Sequence, residues 1–347
     1  MYIRNKKQQI VKKILVTGGA GYIGAHTVLA LIKENFIPII ADNFSNSNPK
    51  ILEKIEKITG KKLKVYQTDC TKNKDLEKIF EQEKIDGIIH FAALKAVGES
   101  VKEPLLYYQN NLNALLNILE NIKKYKIPDL IFSSSATVYG NPIQLPVHES
   151  TPLQAPTNPY GATKQIGEQM IFDFFKSEKL KNTNFGCVIL RYFNPIGAEG
   201  EIGEIPNGVP NNLVPYLSLV AQKKLPYLSI FGGDYPTPDG TCIRDYIDVR
   251  DLAQAHVRSL HFLTEKKELE IFNIGVGKGC SVLECVQAFE KVNHIKVPYQ
   301  IVGRRTGDVA EIYADNQKAK KYLNWDPKYS LAESLEKVWE WQQNMNL

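Results

Sequence analysis

The chain has 347 residues, 43% hydrophobic and 23% charged, with a formal net charge of +5. That length supports one large core or up to two domains of roughly 100 to 200 residues. The charge excess is too small and scattered for a nucleic-acid surface, and no run approaches the roughly 20 apolar residues of a membrane span. Five cysteines (Cys70, Cys187, Cys242, Cys280, Cys285) lack metal-ligand spacing and read as reduced packing thiols, so no metal is expected. With no leader pattern at the start, the chain reads as cytoplasmic, without nucleic-acid or membrane partners. Residues 1–11, rich in Arg and Lys, read as a disordered basic tail.

The first long apolar signal is KKILVTGGAGYIGAHTVLALIKENFIPIIADNFS. A strand (Ile14, Leu15, Val16) runs into glycines, then a helix (Ile23, Val28, Leu29, Leu31, Ile32), then a second strand ending in Asp42. Gly18, Gly21 and Gly24 stand three apart, and Gly19, Gly21 and Gly24 also fit the spacing of a dinucleotide turn. Glycines let the backbone approach a pyrophosphate, whose charge the helix N-terminus favours. Asp42 follows Gly24 by 18 residues, where a carboxylate accepts from a ribose diol and repels a 2′-phosphate, which points to NAD rather than NADP.

More alternation follows: a strand in LKVYQTDC with Asp69 near its end, a helix in KDLEKIFEQEK, a strand entering a loop in IDGIIHFAALKAV, a long helix in LLYYQNNLNALLNILENIKKYK, and a strand ending in serines in DLIFSSSATVYG. Strands interleaved with long helices predict an α/β fold, a Rossmann-type doubly wound parallel sheet. Asp69, Phe91 to Lys95 and Ser133 to Ser135 all fall at the strand ends where such sheets bind ligands. Asp69 suits either a turn or an adenine contact.

TNPYGATKQIGEQ, residues 157–169, then begins a helix with Asn158 as N-cap and Pro159 in its first turn. Tyr160 and Lys164 lie four apart, on one face. A lysine cation and a helix N-terminus favour a phenolate, so the tyrosine is expected to have a lowered pKa and to exchange a proton with an alcohol whose carbon exchanges hydride with a nicotinamide. Ser135 is available to orient that alcohol.

TGGAGYIG, FAALKAVGES, SSSATVYG, PYGATK, LRYFNPIGA, PNNLVPYLSLVA, IFGGDYPTPDGTCIRDYIDVRDLAQAH, FNIGVGKGCSV and RRTGDVAEIYAD together resemble the extended short-chain dehydrogenase/reductases, and within them the UDP-glucose 4-epimerase family. The likeness spans nearly all of the chain after about residue 12. It implies NAD as cofactor, Tyr160, Lys164 and Ser135 as catalytic residues, and interconversion of UDP-glucose and UDP-galactose without net redox change. It implies cofactor contacts from Gly18, Gly21, Tyr22, Ile23, Gly24, Asp42, Asn43, Asn46, Ser47, Asp69, Phe91, Ala92, Ala93, Lys95, Asn110, Ser133 and Tyr192, besides Tyr160 and Lys164. The UDP-sugar falls to Lys95, Ser135, Ala136, Thr137, Tyr160, Asn194, Asn212, Leu213, Phe231, Arg244, Arg305, Asp308 and Ile312. Two arginines suit a diphosphate independently of any likeness.

Two departures matter. Ala93 stands where many members have glycine and adds one methyl. Ile312 stands where the family gates the sugar's C2 substituent; intermediate in size, it implies some activity on UDP-N-acetylglucosamine and UDP-N-acetylgalactosamine. A 4,6-dehydratase is disfavoured because Ala136 and Thr137 replace the acidic pair such enzymes carry after the catalytic serine or threonine, and a non-catalytic nucleotide sensor because Tyr160 and Lys164 are both present. The expected division is an NAD-binding domain over 12–190, with a returning segment near 240–275, and a smaller α/β UDP-sugar domain over most of 191–347. The likeness also implies a homodimer through the long helix and the helix after Tyr160. Leu115, Leu116, Leu119, Ile122, Ile166, Met170 and Phe174 suit either that contact or the chain's own core.

Overall fold

The computed structural model describes residues 11–206, 208 and 210–345. All of the predicted tail except Val11 lies outside the described residues.

In chain order the first half comprises β1 (Lys13–Thr17), α1 (Tyr22–Lys33), β2 (Ile37–Asp42), α2 (Lys50–Thr59), β3 (Lys64–Gln67), α3 (Asn73–Gln82), β4 (Gly87–His90), α4 (Val97–Lys102), α5 (Pro104–Tyr125), β5 (Asp129–Ser135), a 3-10 turn (Ala136–Tyr139), α6 (Pro159–Leu180) and β6 (Gly186–Tyr192). The second half comprises β7 (Asn194–Ile196), α7 (Leu213–Ala221), β8 (Leu228–Phe231), β9 (Ile243–Arg244), β10 (Tyr246–Asp248), α8 (Val249–Glu265), β11 (Leu269–Ile274), β12 (Cys280–Ser281), α9 (Val282–Asn293), β13 (Tyr299–Val302), β14 (Glu311–Ile312), α10 (Gln317–Leu323) and α11 (Leu331–Asn344). The expected α/β class and parallel sheet are what the chain forms.

Seven parallel strands run in the order β11-β6-β5-β4-β1-β2-β3. Helices cover both faces, so the middles of the central strands are apolar; Ile14, Leu15 and Val16 are fully buried, and polar residues gather toward the strand ends at Thr17, His90 and Ser133 to Ser135. The order reverses between β1 and β4, and there the ends of neighbouring strands diverge into a crevice. The chain comes back to this sheet late: α8 packs on α1, and β11 pairs with β6 from Leu269↔Cys187 to Ile274↔Tyr192. A second core around Leu217, Ile230, Phe289 and Leu335 joins α7, β8, α9 and α11. The short sheets β12-β9-β14 and β13-β8 belong to this part of the chain.

Among the helices that escaped the sequence reading is α2. It buries Ile51, Leu52 and Ile55, but Pro49 stands at its N-cap and no side chain caps it, so the start signal is missing. On α5, Leu115, Leu119 and Ile122 are buried against the sheet, which settles that these three face their own core. Met170 and Phe174 are partly buried against the same core, while Leu116 and Ile166 are exposed.

The turn after β1 shows why glycine is required. Gly18 has φ +70°, and a Cβ there would lie 2.9 Å from the Ala92 backbone nitrogen. A Cβ on Gly24 would lie 2.2 Å from the Gly18 carbonyl oxygen, so α1 could not come this close to the turn. Because the obstruction is backbone, Gly24→Ala is expected to destabilise the protein by about 1–3 kcal/mol, read as a lowered urea midpoint; an unchanged midpoint would contradict the close approach.

Candidate active site

The nucleotide side of the crevice is prepared by α1 and β2. No side chain caps the N-terminus of α1, leaving its first N–H groups directed out of the turn. Asp42 ends β2, nearly buried, with one oxygen accepting from Ala20 N at 2.9 Å and the other from Phe44 N (2.9 Å) and Ser47 Oγ (2.8 Å). Asn43 and Asn46 are exposed beside it. The glycine cradle, free amides and oriented carboxylate fit a dinucleotide. Asp69 accepts from Thr71 N at 3.0 Å and Thr71 Oγ1 at 2.7 Å, so the turn role left open for it is present.

Phe91, Ala92 and Ala93 follow β4 as a half-buried loop. Its far end is tied down by a residue the sequence reading missed: Asn111 Oδ1 accepts from Leu94 N (2.8 Å), while its amide donates to Leu94 O (3.1 Å) and Thr163 Oγ1 (3.0 Å). Asn110 donates to Asn111 Oδ1 at 3.0 Å. Under the loop, the His256 ring lies 4.7 Å from Phe91 and 6.0 Å from Tyr192, with Nδ1 2.8 Å from Leu252 O.

The catalytic candidates meet where β5 and α6 converge. Asn158 accepts from Gly161 N at 2.9 Å, so the helix starts as its cap requires. Lys164, 4% exposed, donates from Nζ to the Ser133 carbonyl at 2.6 Å and sits 4.9 Å over the Phe132 ring and 5.9 Å from that of Tyr160. Ser133 and Tyr192 share a hydrogen bond between hydroxyls, and Ser135 pairs with Tyr192 across β5 and β6. Ser135 Oγ accepts from Thr137 N at 3.2 Å, while the buried Thr137 hydroxyl has no protein partner and Ala136 packs into the cluster around Ile312.

The electrostatics correct one expectation. Burial pushes the Tyr160 phenol up to about 12, opposed only by its interaction with Ser135. Burial also brings Lys164 down to about 8, opposed by the Glu168 carboxylate. Desolvation thus decides the sign at Tyr160, and the lysine ammonium is turned to the Ser133 carbonyl.

A second group of predicted residues assembles on the later segments. Asp308 accepts from Arg305 Nη2 at 2.9 Å and Nε at 3.1 Å, and lies 3.7 Å from Arg244 Nη2. The Arg305 guanidinium sits 5.4 Å over the Phe231 ring. Thr157, just before α6, donates to Gly307 O at 3.0 Å, joining this group to the mouth of the catalytic helix. Ile312 pairs with Arg244 across β14 and β9 and packs in one cluster with Ala136 and Phe193. Asn194 begins β7, its N–H bonded to Asp245 O at 2.9 Å. Asn212 is the N-cap of α7, ahead of Leu213, and together with Lys95 it donates to Glu204, each at 2.9 Å; Glu204 also went unread in the sequence.

A family model described as GDP-mannose 4,6 dehydratase matches residues 15–338. UDP-glucose 4-epimerase from Pasteurella multocida is 50% identical over 332 residues, covering 95% of this chain and 97% of that protein. The enzyme of that name from Haemophilus influenzae is 48% identical over 333 residues, covering 95% and 97%. The chain belongs to the UDP-glucose 4-epimerase family. A crystal structure of UDP-glucose 4-epimerase from Bifidobacterium longum in complex with NAD+ and UDP superposes with a TM-score of 0.92 at 44% identity, covering 96% of this chain and 98% of that one. Within the family scaffold the dehydratase description does not extend to the residues after Ser135, which here are Ala136 and Thr137 rather than acidic groups.

His256 gives a pH signature. Burial holds its imidazole down to about 4, below the ordinary 6.5, so the folded state keeps it neutral while the unfolded chain takes a proton as pH falls through 6.5. Its contribution is complete above that value and is lost toward pH 4, amounting to about 2 kcal/mol at pH 5. Urea unfolding at pH 7 and pH 5 should therefore show His256→Gln losing about 2 kcal/mol less than wild type over that interval; equal losses would exclude the buried neutral imidazole.

Proposed function

We propose that this protein interconverts UDP-glucose and UDP-galactose, using tightly held NAD, by oxidation at C4, turning of the 4-keto sugar and reduction on its other face. The observation that carries the reading is the meeting of Tyr160, Lys164 and Ser135 at the switch point of the sheet, beside a glycine turn shaped for a dinucleotide. Bound NAD would supply the hydride acceptor and donor, and its positive charge would favour the Tyr160 phenolate.

In this reading the Tyr160 oxygen takes the proton from the C4 hydroxyl and returns it after the sugar has turned. Ser135 orients that hydroxyl, and Lys164, anchored on the Ser133 carbonyl, holds the cofactor ribose and the positive field. Tyr192 and Phe91 border the cofactor, Asp42 receives the adenosine ribose, and Lys95 lies toward both ligands. Arg244 and Arg305 hold the diphosphate, Asp308 the uridine ribose and Phe231 the base. The half-buried Arg–Asp group gives the nucleotide end charge and direction. Ala136, Phe193 and Ile312 give the sugar end an apolar wall.

The assembly we infer is a homodimer through α5 and α6. Leu105 is 73% exposed, Leu106 and Leu116 45%, and Ile166 40%, an apolar surface on two packed helices. Five free cysteines, four of them buried, suit a reducing cytoplasm. Among the described residues no helix is long and apolar enough to cross a membrane.

Purified protein given UDP-galactose and no added cofactor should yield UDP-glucose by proton NMR, reaching the same ratio from either sugar. Accumulation of a dehydrated or decarboxylated product would overturn the reading, and Tyr160→Phe should lower kcat by about 10²–10⁴-fold. UDP-N-acetylglucosamine should be epimerised with a lower kcat/KM, and Ile312→Tyr should remove that activity while sparing UDP-galactose; no turnover of the acetylated sugar by wild type would sink the assignment of Ile312. Light scattering at micromolar concentration should give twice the chain mass of 39.2 kDa, and a monomer would exclude the α5–α6 contact.

A further inference from the structure

One helical turn beyond Lys164 stands Glu168, 1% exposed, in the interior behind the site. Arg191, 2% exposed, donates Nε to Glu168 Oε1 at 2.9 Å and Nη2 to Oε2 at 2.5 Å. Ser134 donates its hydroxyl to the same Oε1 at 2.5 Å. Ser134, Arg191 and Asn273 form one row across β5, β6 and β11, beside the row containing Ser135 and Tyr192.

The network continues outward. Arg191 Nη1 donates to the Tyr139 hydroxyl at 3.1 Å, which donates to Asn273 Oδ1 at 2.7 Å, and the Asn273 amide donates to Val147 O at 2.9 Å. Val147 is bonded through its backbone to Tyr313 and Asp315, on the segment that follows Ile312. A single carboxylate thereby links the catalytic helix, the serine strand, the strand ending in Tyr192 and the wall of the proposed sugar site.

A buried ion pair seldom stabilises more than apolar residues of the same volume, because desolvation offsets the attraction. Its particular contribution is direction: a bidentate guanidinium–carboxylate pair fixes two planes relative to each other. We propose that Glu168, clamped by Arg191, is the positioning residue of the catalytic group, setting the rotation of α6 and the lean of β5 so that Lys164 meets the Ser133 carbonyl and Ser135 faces Tyr160. The Glu168 carboxylate also favours the Lys164 ammonium against burial. This inference rests on the epimerase reading for its kinetic consequences, whereas the placement of Lys164 on the Ser133 carbonyl is independent of that reading.

Two variants test it, Glu168→Gln and the charge-free Glu168→Leu/Arg191→Leu pair, with kcat and KM for UDP-galactose, the pH–rate profile, and titration of Lys164 by NMR of 15N-lysine protein. Both variants should lose about 10- to 100-fold in kcat, with KM changed by less than about threefold. In Glu168→Gln the alkaline limb of the rate profile and the Lys164 titration should both move to lower pH. If the double variant folds with wild-type kcat, the pair is core filling and the inference fails; if Glu168→Gln does not fold, the double variant decides by its kcat. A wild-type protein that leaves UDP-galactose unchanged refutes the epimerase reading instead. The geometry then still decides this inference through a crystal structure of the double variant: Lys164 kept on the Ser133 carbonyl overturns it, and displacement of Lys164 from that carbonyl upholds it.

Discussion

A lysine ammonium confined at 4% exposure sets the terms for the centre of this molecule. An isolated buried cation would lose its charge or open the fold, so it must be supplied with acceptors. The Ser133 carbonyl at 2.6 Å gives one, the Phe132 ring gives an electron-rich face, and Glu168 gives the compensating charge. Glu168 is itself buried and needs Arg191, which brings Tyr139 and then Asn273 into the same network. One buried charge therefore accounts for the polar residues Ser134, Arg191 and Asn273 in one row across β5, β6 and β11.

The crevice in which this charge is placed comes from the sheet itself. Right-handed crossovers from β1 lead to β2 and β3 on one side, and β4 starts the other side, so a gap opens between their ends. The glycine turn fills the floor of that gap with backbone, and the loop after β4 forms a wall. Tyr160 enters it from the first turn of α6, where a proline starts the helix and Asn158 caps it. Burial raises the phenol, so the folded chain alone holds the proton on oxygen; positive charge entering the crevice shifts the group toward the form that accepts one.

Much of this was legible in the sequence because the signals were local. The α/β alternation of the first half followed largely from periodicity, the turn from Gly18 to Gly24, and the helix mouth from Asn158, Pro159, Tyr160 and Lys164. Glu168 and Arg191 were not legible as partners, since their 23-residue separation carries no pattern and each alone reads as a surface charge. Asn111, Tyr139 and Asn273 were hidden for the same reason: their roles depend on which strands become neighbours. The lowered tyrosine pKa was expected from the nearby cation, and the structure shows the opposite sign because the sequence records spacing but not desolvation.

The two ends of the proposed substrate site differ in kind. At the nucleotide end, Arg305 is held by Asp308 and lies over Phe231, with Arg244 close to the same carboxylate, so the fold itself orients the charged donors. At the sugar end, Ala136, Val138, Phe193 and Ile312 form an apolar cluster, with Ser135 and the unpartnered Thr137 hydroxyl among few polar groups. Directional bonds at one end anchor a ligand, while apolar contact at the other restrains its position without choosing its face. That asymmetry is what turning of a 4-keto sugar requires, because a site that bonded every hydroxyl would hold one face and return the hydride only to the side it left. The bond from Thr157 to Gly307 ties the loop proposed to anchor the nucleotide to the mouth of α6, so that loop and the position of Tyr160 are coupled.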